Sequence, residues 1–234
     1  MSLQQLTSFF NNCENVIAKV VDFNSEKDRL LALDFTGNNT ELNAETLNDT
    51  AVFSDWVNQK LAENKAKYGI GGYNEHRTIY TRSTHFNTPD EPRRLHLGTD
   101  IWGKAGTPIY NFYTAKVHSF NFNHNFGDYG ATIILQYQIP NLTFYALYGH
   151  LSLASLANLT KGLIIPVGKQ FASFGIAAEN GFWPPHLHFQ LIFDIASFEG
   201  DYPGVCKYSE REKYLQNCPN PALILKHTFT SALL

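Results

Sequence analysis

Apolar and polar positions follow two different rhythms along this chain. In the first 80 residues, apolar side chains recur at helical spacing in two places. These are Leu3, Leu6, Phe9 and Phe10, and then Val52, Phe53, Trp56, Val57 and Leu61. Between them LLALDF predicts a short strand, closed by a turn at Gly37-Asn38-Asn39. From about residue 85 to 195 the rhythm shortens. IYNFYTAKVHSF, ATIILQY, TFYALYGHL, FASFGI and HLHFQLIF are short runs rich in Ile, Tyr and Phe. Turn signals at Ala105-Gly106-Thr107-Pro108, Asn125-Phe126-Gly127-Asp128 and Lys161-Gly162 separate them. No long amphipathic helix intervenes, so this stretch predicts an antiparallel sheet or sandwich rather than a parallel βαβ sheet. After Phe198 a Gly/Pro-rich loop leads into a helix over SEREKYLQNC, with Ser209 and Glu212 spaced as a capping box. The expected organisation is mainly β. A helical and irregular N-terminal extension covers 1–84, a β core covers 85–198, and a C-terminal loop-helix extension covers 199–234.

Composition narrows the function. At 234 residues with 44% hydrophobic content, the chain is long enough to bury a substantial core. Its 18 basic and 21 acidic residues give a formal charge of −3 without a basic run, which argues against a nucleic-acid partner. No apolar stretch is long enough for a membrane span. The N-terminus lacks a basic segment followed by a clean apolar core, so the chain reads as cytoplasmic; removal of a leader would make it periplasmic or extracellular. Cys13, Cys206 and Cys218 show no CxxC spacing. Free thiols are the expectation for Cys206 and Cys218, with a short-loop disulfide as the alternative in an oxidising compartment.

The candidate chemistry lies in three segments of the β-rich stretch. In His96-Leu97-Gly98-Thr99-Asp100, alternation along a strand puts an imidazole and a carboxylate on one face, with Gly98 leaving the space between them clear. His186-Leu187-His188-Phe189 puts two imidazoles on one face and two apolar side chains on the other. Tyr148-Gly149-His150-Leu151 offers a phenol and a further imidazole at the end of an aromatic strand. Any one of these is commonplace; together they point to a site for a divalent ion such as zinc. A catalytic zinc needs three protein ligands and an open position, whereas four ligands make a structural site. Spacing does not divide His96, Asp100, His150, His186 and His188 into ligands and acid–base groups.

These segments resemble the lysostaphin and LytM family of zinc endopeptidases, which cut bacterial peptidoglycan. The family pattern H-x-G-x-D, Y-x-H-L and H-L-H-F reads here as HLGTD, YGHLS and PHLHFQL, and Gly106-Thr107-Pro108-Ile109-Tyr110 resembles the stretch after its first motif. The resemblance spans roughly residues 90–195 and implies a lysostaphin-type β core. It implies that His96, Asp100 and His188 bind Zn2+. His186 would be the base toward water, and His150 would hold the oxyanion or pass the proton. Tyr148 would help to polarise the carbonyl. The implied substrate is a Gly- or Ala-containing peptide of peptidoglycan or its fragments. Gln190 stands where the family often has Glu, which predicts altered bonding around the ligands. The flanks YGIGGYNEHRTIYTRSTHF and GDYPGVCKYSEREKYLQNCPNPALIL resemble, more loosely, peptidase-like domains fused elsewhere to kinase and aminotransferase domains. Tyr73, Glu75 and Arg77 are candidates for the cleft, with a surface role as the competing reading. The competing function is a non-catalytic peptidase-like domain that binds glycan, peptide or a protein partner. Oligomeric state is open.

Overall fold

The computed structural model describes residues 2–12 and 17–229. In chain order its helices are α1 (Ser2–Asn12), α2 (Ala44–Asn48), α3 (Thr50–Glu63), α4 (Arg211–Asn217) and α5 (Ala222–Leu225). The strands of the main sheet are β1 (Leu30–Leu33), β2 (Tyr68–Gly71), β4 (Thr99–Trp102), β6 (Ala115–Asn123), β7 (Gly130–Ile139), β8 (Leu142–Leu151), β9 (Ile164–Ile165) and β11 (His186–Ile192). They are ordered β1-β2-β4-β11-β8-β7-β6-β9. Two small sheets pair β3 (Leu95–His96) with β12 (Val205–Cys206), and β5 (Pro108–Tyr110) with β10 (Gln170–Ser173). The mainly β expectation holds, and each of the five predicted strand runs contributes a strand.

Both helical rhythms of the N-terminal stretch form helices. In α3 the buried residues Phe53, Val57 and Leu61 recur every fourth position, and Asp49 caps the start by accepting from Ala51 N at 2.7 Å. LLALDF supplies β1, and the N-terminal stretch goes further than expected. β1 pairs in parallel with β2, while β2 pairs antiparallel with β4. Residues 30–71 are therefore a strand–helices–strand crossover joined to the edge of the sheet. The C-terminal helix differs from its prediction. Residues Tyr208–Glu210 form a 3-10 turn and α4 starts at Arg211 without a side-chain cap, so no Ser209–Glu212 capping box forms. Ser209 N bonds instead to Glu91 Oε1 at 3.3 Å.

The sheet separates unequal layers. Under it lies one large apolar cluster containing Leu6 and Phe10 of α1, Ile133, Leu135 and Tyr137 of β7, Leu187, Phe189 and Leu191 of β11, and Ile224 of α5. Above it lie two smaller clusters. One gathers Phe35, Phe53, Trp102 and Trp183, the other Leu97, Ile134, Leu147 and Ile192. Cys206 and Cys218 are free buried thiols in the second of these; Cys13 lies outside the described residues. No helix among the described residues is long and apolar enough to cross a membrane.

Candidate metal centre and its pocket

The polar cluster sits on the upper face, between the two apolar patches. His188 pairs across the sheet with Asp100 on one side and Gly149 on the other, so β11 is its axis. The strand expected through His96–Asp100 is broken: His96 ends β3 and Asp100 lies in β4. The two side chains converge nonetheless, because Gly98 lets the chain pass close to β11. A Cβ there would lie 2.6 Å from His188 Cε1 and Nε2, so any larger residue would displace that ring.

His96 Nε2, Asp100 Oδ1 and His188 Nδ1 form a triangle with edges of 2.9, 3.0 and 3.2 Å. Tetrahedral zinc with bonds of about 2.0–2.2 Å spaces its donors by roughly 3.3–3.6 Å, so an ion fits with an expansion of a few tenths of an ångström. The second atom of each donor group is already engaged. Gly72 O accepts from His96 Nδ1 at 2.9 Å, and Gln190 Oε1 accepts from His188 Nε2 at 2.9 Å. Arg77 Nη1 donates to Asp100 Oδ2. A backbone carbonyl only accepts, which puts the His96 proton on Nδ1 and leaves the Nε2 lone pair for an ion. Gln190 is held in turn by donating to Pro203 O at 3.1 Å. Burial, reinforced by Arg77, pushes His96 down to about 3, so it is a neutral donor. Burial alone would raise Asp100, but the charged Arg77 guanidinium against its Oδ2 holds it well below the usual carboxylate range.

His150 and His186 lie beside this triangle with ring centroids 4.0 Å apart. Each gives its Nδ1 proton to a carbonyl, His150 to Asn180 O and His186 to Pro184 O, both at 2.7 Å. Their Nε2 atoms are therefore bases. Burial holds both imidazoles neutral, His186 at about 4 and His150 well below its ordinary value. His186 also stacks on Trp102 at 3.9 Å.

Tyr148 does not join them. Its phenol shares a 2.6 Å hydrogen bond with Tyr137, whose hydroxyl donates to Asn111 Oδ1, and its ring packs on Phe171 and Phe189 in the lower layer. In a regular strand residues 148 and 150 share a face. Here His150 has φ +61° and the β7–β8 ladder shifts register near residues 131–133, which turns the imidazole up and leaves the phenol down. Tyr129 stands in the site instead. Its hydroxyl is 3.5 Å from His188 Nε2 and its ring packs beside both His188 and His150. Arg77 is fully buried beneath Asp100, is bonded to Glu75 as well, and lines the pocket from behind, so it has no surface role. Tyr73 and Glu75 line a separate groove beside β1 and β2. No sequence signal marked Tyr129; Arg77 stood out only by its closeness to the first motif.

The cluster floors a pocket of about 140 Å³ walled by Trp102, Trp183, Tyr80, Phe86 and Tyr129. Residues 94–198 match the model of peptidase family M23. Among solved structures the chain is similar to the catalytic domain of the antimicrobial peptidase lysostaphin from Staphylococcus simulans. The identity is 21% over 68% of this chain and 97% of that one, with a TM-score of 0.41. It is similar also to a zinc-containing peptidase from Vibrio cholerae, at 25% identity over 45% of this chain and 29% of that one, TM-score 0.34. A third is the catalytic domain of the prophage-encoded M23 protein EnpA from Enterococcus faecalis (20% identity over 50% and 85%, TM-score 0.36). The chain thus spans under a third of the Vibrio protein, and no curated protein matches it.

Proposed function

We propose, on the premise that the chain carries a peptidase family M23 domain over residues 94–198, that it is a zinc metallopeptidase. His96, Asp100 and His188 hold the metal, and His186 and His150 handle the protons. The observation that supports this most is the division among five groups. Three converge within 4.8 Å of one another, and two more imidazoles present unprotonated Nε2 atoms to the same pocket. Only three groups converge as ligands among the described residues, which favours an open catalytic site over a closed structural one.

A bound zinc would polarise a peptide carbonyl and acidify a water toward pH 7. His186 Nε2 then accepts the proton of the attacking water and passes it to the departing amine, with Trp102 and Pro184 O fixing the ring. His150 resists protonation through burial. Its Nε2 therefore accepts a hydrogen bond from the attacking water and helps to aim it at the carbonyl. The substrate class is a peptide of small residues such as Gly and Ala, of the kind found in peptidoglycan and its fragments. The narrow aromatic walls leave little room for large side chains.

Elemental analysis of protein supplied with zinc tests the reading. About one zinc per chain is expected, lost in His188→Ala, together with cleavage of an Ala-Gly peptide by the loaded wild type. Protein that takes up no zinc, or a loaded protein that leaves such peptides intact, overturns it.

A further inference from the structure

One guanidinium acts on two of the three metal donors, and it comes from outside the residues that match the family. Residues 74–77 run beside β3, where His96 N donates to Glu75 O and Arg77 N donates to Arg94 O, both at 2.9 Å. Gly71 leaves the space that the Arg77 side chain needs, since a Cβ there would lie 2.7 Å from Arg77 Nη2. The side chain is wholly buried, with its Cζ over the Phe35 ring at 5.1 Å.

Each arm of the fork has its own partner. Nη1 donates to Asp100 Oδ2, the oxygen that is not part of the donor triangle. Nη2 donates at 3.3 Å to Gly72 O, the same carbonyl that accepts from His96 Nδ1. Nε donates to Glu75 Oε2 at 2.6 Å, so a second carboxylate holds the fork in place. A carboxylate can offer an ion one oxygen or both. With Oδ2 engaged by a charge-assisted hydrogen bond, Asp100 offers Oδ1 alone. A zinc with three protein ligands keeps a position for water, and a second oxygen from Asp100 would crowd that position.

We propose that Arg77 is a positioning residue that keeps Asp100 a one-oxygen ligand, holding the water position open while loosening the grip on the ion. The charges point the same way. A fixed cation beside the site repels a divalent ion, and its hydrogen bond draws charge away from the ligating carboxylate. Were Arg77 only a structural support, its loss would weaken metal binding and activity together. The effect on hydrolysis rests on the metallopeptidase reading above; the effect on ligation needs only that metal binds.

The test is a double variant, Arg77→Met with Glu75→Gln. It removes one charge of each sign, so the net charge beside the ion is unchanged and Glu75 is not left as an unpaired carboxylate. Full-length wild type and variant are loaded with zinc, or with cobalt, whose visible bands report the coordination that d¹⁰ zinc hides. The cobalt bands of the variant should be weaker, the mark of a higher coordination number. Zinc should bind the variant at least as tightly in competition with a chelator, while cleavage of an Ala-Gly peptide falls about 10–100-fold. Identical cobalt spectra overturn the proposal, and so does zinc binding weakened by about tenfold or more. A wild type that binds metal but leaves the peptide intact sinks the peptidase reading alone, and the spectra and affinities still decide the role of Arg77. A wild type that takes up no metal overturns both. Should the double variant not fold, Arg77→Lys carries the same comparison with the same expected directions, because an ammonium lacks the planar fork that holds Asp100 Oδ2 and Gly72 O together.

Discussion

On β11, Leu187, Phe189 and Leu191 point into the apolar layer under the sheet, whereas His186, His188 and Gln190 point up into the polar cluster. One strand thus builds two environments, both dry. Below, burial is favourable outright, because apolar area leaves water. Above, it costs free energy, because imidazoles and a carboxylate are stripped of solvent. That cost is offset by carbonyls at Gly72, Asn180 and Pro184 and by the Arg77 guanidinium. The comparison teaches that the lower face sets stability and the upper face stores chemistry. A substitution should reveal which face it touched by which quantity it moves.

The sharpest contrast is between neighbours on that strand. His186→Ala should lower peptide hydrolysis by about 10²–10⁴-fold, the usual worth of an acid–base group, while zinc content stays at wild type. Undiminished turnover would remove His186 from the mechanism. Phe189→Ala should do the converse, costing about 3–5 kcal/mol in denaturant unfolding for a large buried ring. A loss under about 1 kcal/mol would mean that the lower layer is poorly packed.

A smaller effect separates the faces by pH. His96 and His186 are pushed to about 3 and about 4, below their ordinary value near 6.5, so the folded state binds fewer protons than the unfolded chain. Their neutral forms favour folding fully above about pH 6.5, and that contribution is lost as pH falls toward 4 and 3. The melting temperature of metal-free protein should therefore drop across this window. The drop should shrink in His186→Phe, and a pH-independent melting temperature would contradict it. The smallest effect is the most diagnostic for the lower face. Tyr148→Phe removes one hydrogen bond to Tyr137, worth about 1 kcal/mol, and should leave hydrolysis at the wild-type rate. A marked loss of turnover would return Tyr148 to the site.

Much of this was legible in the sequence where a local rule governs. The period of Phe53, Val57 and Leu61 gave α3, and alternation through His186-Leu187-His188-Phe189 assigned each side chain to its face. Alternation failed where the ladder is irregular. The family resemblance implied a place for Tyr148 in the site, but the positive φ of His150 turns that imidazole up while the phenol stays below. The break at Leu97-Gly98 was hidden for the same reason. Arg77 and Tyr129 depend on contacts between residues far apart in sequence, such as Arg77 with Asp100 and Tyr129 with His188. No local period encodes those. The parallel β1–β2 pairing was also missed, since its two strands are separated by two helices.

Because β2 lies next to β4, the ends of the family match are poor places to cut. A fragment of residues 94–198 would lack β2, leaving β4 as a bare edge whose unpaired N–H and C=O groups invite another chain to add on. It would also lack Arg77, so Asp100 would stand under the pocket with no guanidinium opposite it. Swapping this domain between proteins as a cassette would therefore carry the motifs and lose their support. The transferable module is the sheet together with its flanks.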